Sequence, residues 1–424
     1  MSSSIVAAPT PPPPYHVQAA VDNAASFAHH SSVSKLWSTK WRYNCQTGIY
    51  PFEQGRVEDF DNVFKNLVAA SNDDVDILFN PDAYAKEFFP VAEDLVHRGN
   101  EAESKNELDV ARDLYLRAAA LYRIARFPIV RSPLSQKAWQ DGKAAFEKGA
   151  KYLDPPNIGV DIPFAHRDAT RGDKDAPIPG YLRVPNGEPP SANGWPVVLF
   201  ICGLDAYRTD HTSRYNAHLA AGAAVLSVEI PGTGDSPAAP ADATSPDRQF
   251  SSVFDWIASA AAAVHRLDSK RVVARAVSMG GYYGFRIAHT HADRLVGAVA
   301  QGGGCHHMFD PAWIAAQNHM EYPFALADAL AHKFGYGSVQ EYIDAGPRAK
   351  FSLEENGILQ LESCRLLIVN GTEDSIFPIE DSLLVASRGR VKDVRLLTER
   401  AHVGNPGAEA IIYRWIADLI VGVA

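Results

Sequence analysis

From about residue 156 onward, short apolar runs alternate with stretches of helical period, and that alternation admits few folds. The runs occupy 178–184, 197–202, 224–229, 272–276, 295–301, 365–369 and 394–397. Each is too short for an independent helix and too uniformly apolar for a strand with one wet face, so it belongs in a sheet covered on both sides. Strands joined through helices run parallel, which predicts an α/β protein with a mostly parallel, doubly wound sheet.

The chain has 424 residues, more than one such sheet requires, and the surplus lies in front of it. Between 57 and 150, Phe60, Val63, Phe64, Leu67 and Val68 recur at three and four, as do Leu114, Ala118, Leu121 and Tyr122. This predicts a helical domain over 31–155, ending where Asp154, Pro155 and Pro156 break the pattern. Within it, 93–127 reads as a helix hairpin like a single tetratricopeptide unit without a second copy, suited to packing on the sheet domain and closing one side of a pocket. Residues 1–30, with Pro9 and the run Pro11 to Pro14, have little apolar surface to bury and are expected to form a loose tail. The sheet domain, 156–424, is interrupted at about 306–355 by helical sequence rich in aromatics (Trp313, Tyr322, Phe324, Phe334, Tyr336, Tyr342), placed as a helical lid would be.

Several functions are disfavoured by composition. Lys and Arg number 40 against 50 Asp and Glu, a net charge of −10, and no run of five basic residues occurs, so nucleic acid is not an expected partner. Cys45, Cys202, Cys305 and Cys364 are scattered with no CxxC pair, which argues against a zinc site or disulfide framework; no metal or cofactor is expected. Without a basic-plus-apolar leader or an 18-residue apolar stretch, the expectation is a cytoplasmic protein with no membrane span.

The chemistry concentrates at 271–288, which reads as a strand, a sharp turn at Ser278 and a helix. Such an elbow presents a serine nucleophile in a strained conformation and brings strand and helix so close that the residues two before and two after must be small. Gly280 meets that demand, and Ala276 stands where glycine is usual. An activated serine needs a base and the base needs a carboxylate, in the chain order Ser, acid, His for this architecture. Asp374, after the run 365–369, is the expected acid, with Glu373 as its rival, and His402, after the last strand, is the expected base. The amides of Met279 and of Leu204, on the loop 203–208, are placed to form an oxyanion hole. Asp205, Tyr207 and Arg208 on that loop could line the pocket, although Arg208 and Asp210 read equally well as a salt bridge holding it. Tyr282, Trp313 and His306 complete the expected substrate-facing set, with a packing role for His306 or His307 equally open after the glycines 302–304.

These residues, taken together, resemble a specific family. The segments 41–52 and 57–60, 203–208, Glu229 to Thr233, Ser245 to Arg248, Ser278 to Tyr283, His289 to His291, Gly304 to His306, Glu321 to Phe324 and Lys350 to Leu353 are similar to those of the fungal yellowish-green heptaketide hydrolases of melanin biosynthesis, and more distantly to bacterial 2,6-dihydroxypseudooxynicotine hydrolase. Only the region before Lys35 lies outside the resemblance, and Ala276 departs from the family's glycine. The resemblance implies an α/β-hydrolase fold and hydrolysis of a carbon–carbon bond beside a ketone in an aromatic polyketide, with release of a small acyl acid, and makes a homodimer plausible. The same residues are compatible with a polyketide esterase, thioesterase or acyltransferase, and a hydrolase-fold protein that binds without turnover is the reading from another class.

Overall fold

The computed structural model describes residues 27–421; the proline run lies outside them. Packing begins earlier than the expected tail boundary at 30. The turn Ala28–His30 is docked by its imidazoles, His29 donating to the Tyr322 carbonyl (3.2 Å) and His30 to that of Met320 (2.6 Å). A π-helical turn, Leu36–Trp41, then buries Trp37 and Trp41.

Four longer helices follow: α1 (Val57–Ser71), α2 (Phe89–Ser104), α3 (Leu108–Ala125) and α4 (Pro133–Ala150). In α1 the three-and-four spacing buries Phe60, Val63, Phe64 and Leu67, and the Trp37 ring stacks on Phe64 at 4.5 Å. Helices α2 and α3 form the expected hairpin, and α4 adds a third helix against α3, started by Pro133 in its first turn and a Ser132–Ser135 capping box.

The sheet has eight strands: β1 (Ile158–Ile162), β2 (Ile178–Arg183), β3 (Trp195–Ile201), β4 (Ala224–Val228), β5 (Leu267–Val277), β6 (Gly297–Gln301), β7 (Leu366–Gly371) and β8 (Asp393–Leu397). Their order is β1-β2-β4-β3-β5-β6-β7-β8. The pairs β1–β2 and β2–β4 are antiparallel, and every later pair is parallel. All seven expected strands are present with shifted ends. The eighth, β1, escapes a hydrophobicity reading because Gly159 and Asp161 interrupt it and four of its five residues are exposed or half-buried at the sheet's edge. Strand β5 starts five residues earlier than expected, its polar beginning at Asp268 to Arg271.

Helices α5 (Thr212–Ala220), α6 (Ser245–Ile257) and α7 (Met279–Thr290) connect the central strands. Four short helices, α8 (Pro311–Ala316), α9 (Leu326–Lys333), α10 (Val339–Asp344) and α11 (Pro347–Phe351), make up the insertion between β6 and β7, and α12 (Ile379–Ala386) and α13 (Ala408–Val421) complete the fold. Alternate residues of the strands feed two cores. Leu199, Ile201, Ala274 and Ala276 join the core shared with the helical domain and insertion, whereas Val198, Phe200, Val273 and Val369 pack on the face covered by α13. Phe324 of the insertion touches Trp41, Tyr84 and Phe127, so one aromatic cluster ties the insertion to the N-terminal helices. Among the described residues no helix is long and apolar enough to cross a membrane.

Candidate active site

Ser278 sits between the end of β5 and the start of α7 with φ 56° and ψ −126°, a strained conformation for a residue with a side chain. A Cβ on Gly280 would lie 2.5 Å from the Cys202 carbonyl oxygen, so the residue two after the serine is glycine by necessity. The alanine two before it is accommodated from the helix. A Cβ on Gly284 would lie 2.6 Å from the Ala276 methyl, so the helix lacks a side chain where the strand carries one. The room needed for close strand–helix packing has moved from position 276 to position 284.

His402 Nε2 accepts from Ser278 Oγ at 2.9 Å, and its Nδ1 donates to Asp374 Oδ2, also at 2.9 Å. The carboxylate fixes this tautomer because it can only accept. Asp374 is fully buried and takes three further hydrogen bonds, from Asn370 Nδ2 (2.8 Å) and the amides of Ile376 (2.8 Å) and Phe377 (3.0 Å). Its rival Glu373 is exposed, and the chain there is committed through its backbone amide to Arg400. Burial works to lower the His402 pKa, but the charge and hydrogen bond of Asp374, with the carboxylates of Glu321 and Asp205, outweigh it and hold the imidazole above the ordinary histidine value. Gly302, at φ 68°, gives His402 and Val403 their space: a Cβ there would lie 3.0 Å from the imidazole Cε1.

Gly203 abuts the elbow, its absent Cβ 3.4 Å from that of Ser278, which sets Leu204 beside the serine. Met279 opens α7, so its amide has no acceptor within the helix. The next residues of the loop are held by partners from elsewhere in the chain. Asp205 Oδ2 accepts from the hydroxyls of Tyr50 and Tyr322 (2.6 Å for the latter). Tyr207 lies under the Arg126 guanidinium, 3.7 Å from its ring centre. Arg208 is buried in a salt bridge with Glu229 (2.7 Å) and Asp235 (2.9 Å), while Asp210 pairs with Arg126 (2.5 Å). The loop-holding alternative therefore describes Arg208 and Asp210, through partners other than each other, and Tyr207 belongs to the same anchorage. The Arg208 guanidinium and the Tyr207 ring are thus engaged within the protein.

Tyr282 is likewise buried, donating to the Phe351 carbonyl at 2.7 Å and so linking the elbow helix to the insertion. His306 is bonded through Nδ1 to Ser352 Oγ at 2.7 Å, and burial lowers its pKa. Its loop is fixed by Asp381, whose carboxylate accepts the amides of Cys305, His306, His307 and Met308 at 2.7–3.1 Å. Trp313 is buried and donates from Nε1 to the Ile376 carbonyl (3.2 Å), which supports the loop that carries Asp374.

Glu321 is a site residue that the reading of roles from sequence missed. Its Oε1 accepts the His402 amide at 3.3 Å and its Oε2 accepts the amide and hydroxyl of Ser375, both at 3.1 Å. Burial, then the charge of Asp374, pushes its carboxyl pKa up, against the opposing charges of Lys40 and His402. No periodicity or strand-end position marks it: it is a lone acid in an aromatic segment, visible only as part of the Glu321 to Phe324 resemblance. Tyr50 was missed for the same reason, whereas Asn370 stands at the end of β7 and went unassigned because its role depends on its bond to Asp374.

Strand order, elbow and the Ser278–His402–Asp374 arrangement define an α/β-hydrolase fold with an N-terminal helical region and a helical insertion. In agreement, the structure matches 2,6-dihydroxy-pseudo-oxynicotine hydrolase with a TM-score of 0.64 at 18% identity, covering 80% of this chain and 89% of that one. It also matches AbyA5, with a TM-score of 0.57 at 21% identity, covering 78% and 88%. The chain belongs to the FrsA-like esterase family, whose model matches residues 17–407. Esterase FrsA of Escherichia fergusonii is 27% identical over 277 residues, spanning 64% of this chain and 62% of that protein; esterase FrsA of Escherichia coli K12 gives the same figures.

Proposed function

We propose that the protein is a serine hydrolase in which Ser278 is the nucleophile, His402 the base and Asp374 its orienting acid, with the amides of Leu204 and Met279 as oxyanion hole. The observation that carries this is the continuous relay from Ser278 Oγ through His402 to a carboxylate held by four donors. In the reading we favour, the substrate is an aromatic polyketide ketone of the kind the fungal heptaketide hydrolases act on. An aromatic side chain against the relay supports it: Phe377 meets the His402 ring edge-on at 5.5 Å. The insertion, which supplies Glu321, Tyr322 and Trp313, serves as the lid.

Ser278 Oγ adds to the ketone carbon as its proton passes to His402 Nε2, and the two amides hold the oxyanion. Collapse breaks the carbon–carbon bond on the ring side, and the electron pair moves into the hydroxylated ring system as an enolate. The His402 proton then goes to that carbon. Water, deprotonated by His402, clears the acyl group from Ser278, so ketone plus water gives a shortened arene and a free acid.

Ester hydrolysis by the same residues is a second reading, favoured by membership of the FrsA-like esterase family. Incubation of wild type and Ser278→Ala with acyl naphthopyrones, followed by mass analysis of both fragments, separates the two. A chain-shortened arene with a free acyl acid, absent with Ser278→Ala, supports carbon–carbon cleavage; an unshortened acid from an ester analogue alone favours the esterase. Ser278→Ala should lose roughly 10⁴- to 10⁶-fold in kcat, and full activity in that variant refutes both.

A further inference from the structure

The loop that follows β3 is held in place in part from outside the sheet domain. Arg126, at the C-terminal end of α3, is 1% exposed and lies against this loop. Its Nη1 donates to the Asp205 carbonyl at 2.9 Å and its Nη2 to Asp210 Oδ2 at 2.5 Å. The same Asp210 oxygen accepts the Tyr207 amide at 2.8 Å, so one guanidinium clasps the loop at both sides of Tyr207 while covering that residue's ring. Arg123, one turn earlier on α3, reaches Asp210 at 3.4 Å and is held in turn by the Pro51 carbonyl (2.6 Å) and Glu53 (2.9 Å). Tyr50, from the same N-terminal stretch, donates to the Asp205 side chain.

Resting on the hydrolase reading above, we propose that Arg126 is a positioning residue for the oxyanion hole: the helical domain, through this guanidinium, sets the orientation of the Leu204 amide. The amide belongs to the Gly203–Leu204 peptide, two peptide units before the one whose carbonyl Arg126 holds. Rotation of the Leu204–Asp205 segment would therefore turn the amide away from Ser278, whose Cβ lies within contact distance of the Gly203 position. Oxyanion stabilisation depends on donors aimed in advance, so a small rotation is felt in the transition state and hardly in ground-state binding. A lysine cannot reproduce the clasp, because it lacks the rigid fork that reaches two acceptors at once.

The test compares wild type, Arg126→Met, Arg126→Lys, Asp210→Asn and the Arg126→Met/Asp210→Asn double variant. The readouts are p-nitrophenyl butyrate turnover, the rate of fluorophosphonate labelling at Ser278 and Tm. Arg126→Met is expected to lower kcat by about tenfold to a hundredfold, with KM within about twofold and the labelling rate falling in parallel. Arg126→Lys should recover part of the loss. Asp210→Asn, which keeps the side-chain volume, should show the same kcat-specific defect if Arg126→Met does not fold, and the double variant should lose little more than either single one. Wild-type kcat and labelling in a folded Arg126→Met or Asp210→Asn, or a rise in KM alone, overturns the proposal. A wild-type protein that neither turns over nor labels at Ser278 overturns the hydrolase reading itself, an outcome distinct from a working wild type with indifferent variants.

Discussion

Replacement of Asp374 by asparagine changes one atom and tests the relay at its most buried point. The two acceptor bonds on Oδ1, from the amides of Ile376 and Phe377, survive in the amide. The Oδ2 position becomes an NH₂ group facing two donors, Asn370 Nδ2 and His402 Nδ1. The imidazole escapes by moving its proton to Nε2, where it points at Ser278 Oγ and can no longer accept the serine's proton. The imidazolium formed in the transition state also loses its counter-charge. At a charge separation of about 4 Å and an effective dielectric of about 20, that interaction is worth about 4 kcal/mol, or roughly three decades in rate. Adding the tautomer effect, kcat/KM should fall by roughly 10³- to 10⁴-fold.

The pH profile supplies a second readout. A histidine base works only when neutral, and His402 is held above its ordinary pKa chiefly by Asp374 against the opposing pull of burial. In wild type the acid limb of kcat/KM should therefore lie above pH 6.5, and in Asp374→Asn the residual activity should persist to lower pH. Hydrolysis of p-nitrophenyl butyrate between pH 5 and 9 measures both. An Asp374→Asn variant that keeps more than a tenth of wild-type kcat/KM with an unmoved acid limb would refute the reasoning.

Two further predictions concern stability. Lys333 is fully buried, with its ammonium nitrogen bonded to the Tyr283 hydroxyl, and burial holds its pKa well below the ordinary lysine value. The folded state therefore disfavours the charged side chain, a cost that fades as pH rises toward the unfolded-state pKa of about 10.4; Lys333→Met should raise Tm by roughly 2 °C at pH 7 and by less at pH 10, as scanning calorimetry would show. Gly284→Ala should cost about 1–3 kcal/mol by urea denaturation, since the new methyl meets Ala276, and Ala276→Gly in the same chain should restore most of it; a Gly284→Ala variant as stable as wild type contradicts that account.

What the sequence disclosed about this site follows from how each residue is placed. Ser278, Asp374 and His402 stand at the C-terminal ends of strands or just past them, and a strand is visible as a run of apolar residues, so each is reached by counting along the chain. Met279 is legible for the same reason. The sheet's edge is less so, because β1 is wet on much of its surface and carries no apolar run. Glu321, Tyr50 and Arg126 owe their positions to contacts between distant segments, and neither local period nor motif spacing encodes such contacts. Arg208 and Tyr207 show the converse. They sit on the loop after β3, and Glu229 and Arg126, distant in the chain in either direction, engage their side chains.

The separation between the relay's members has a consequence for the protein's synthesis. His402 meets Ser278 across 124 residues, with the insertion and three strands between them. Translation at 5–20 residues per second takes roughly 6–25 s to cover that interval. During that time the helical region and the strands up to β5 are already available to fold, and the serine is present without its base. A nascent chain, or one truncated by a stalled ribosome, that ends between the elbow helix and residue 402 carries the elbow but no relay. Hydrolytic capacity would therefore arrive late and all at once, after the insertion has been made.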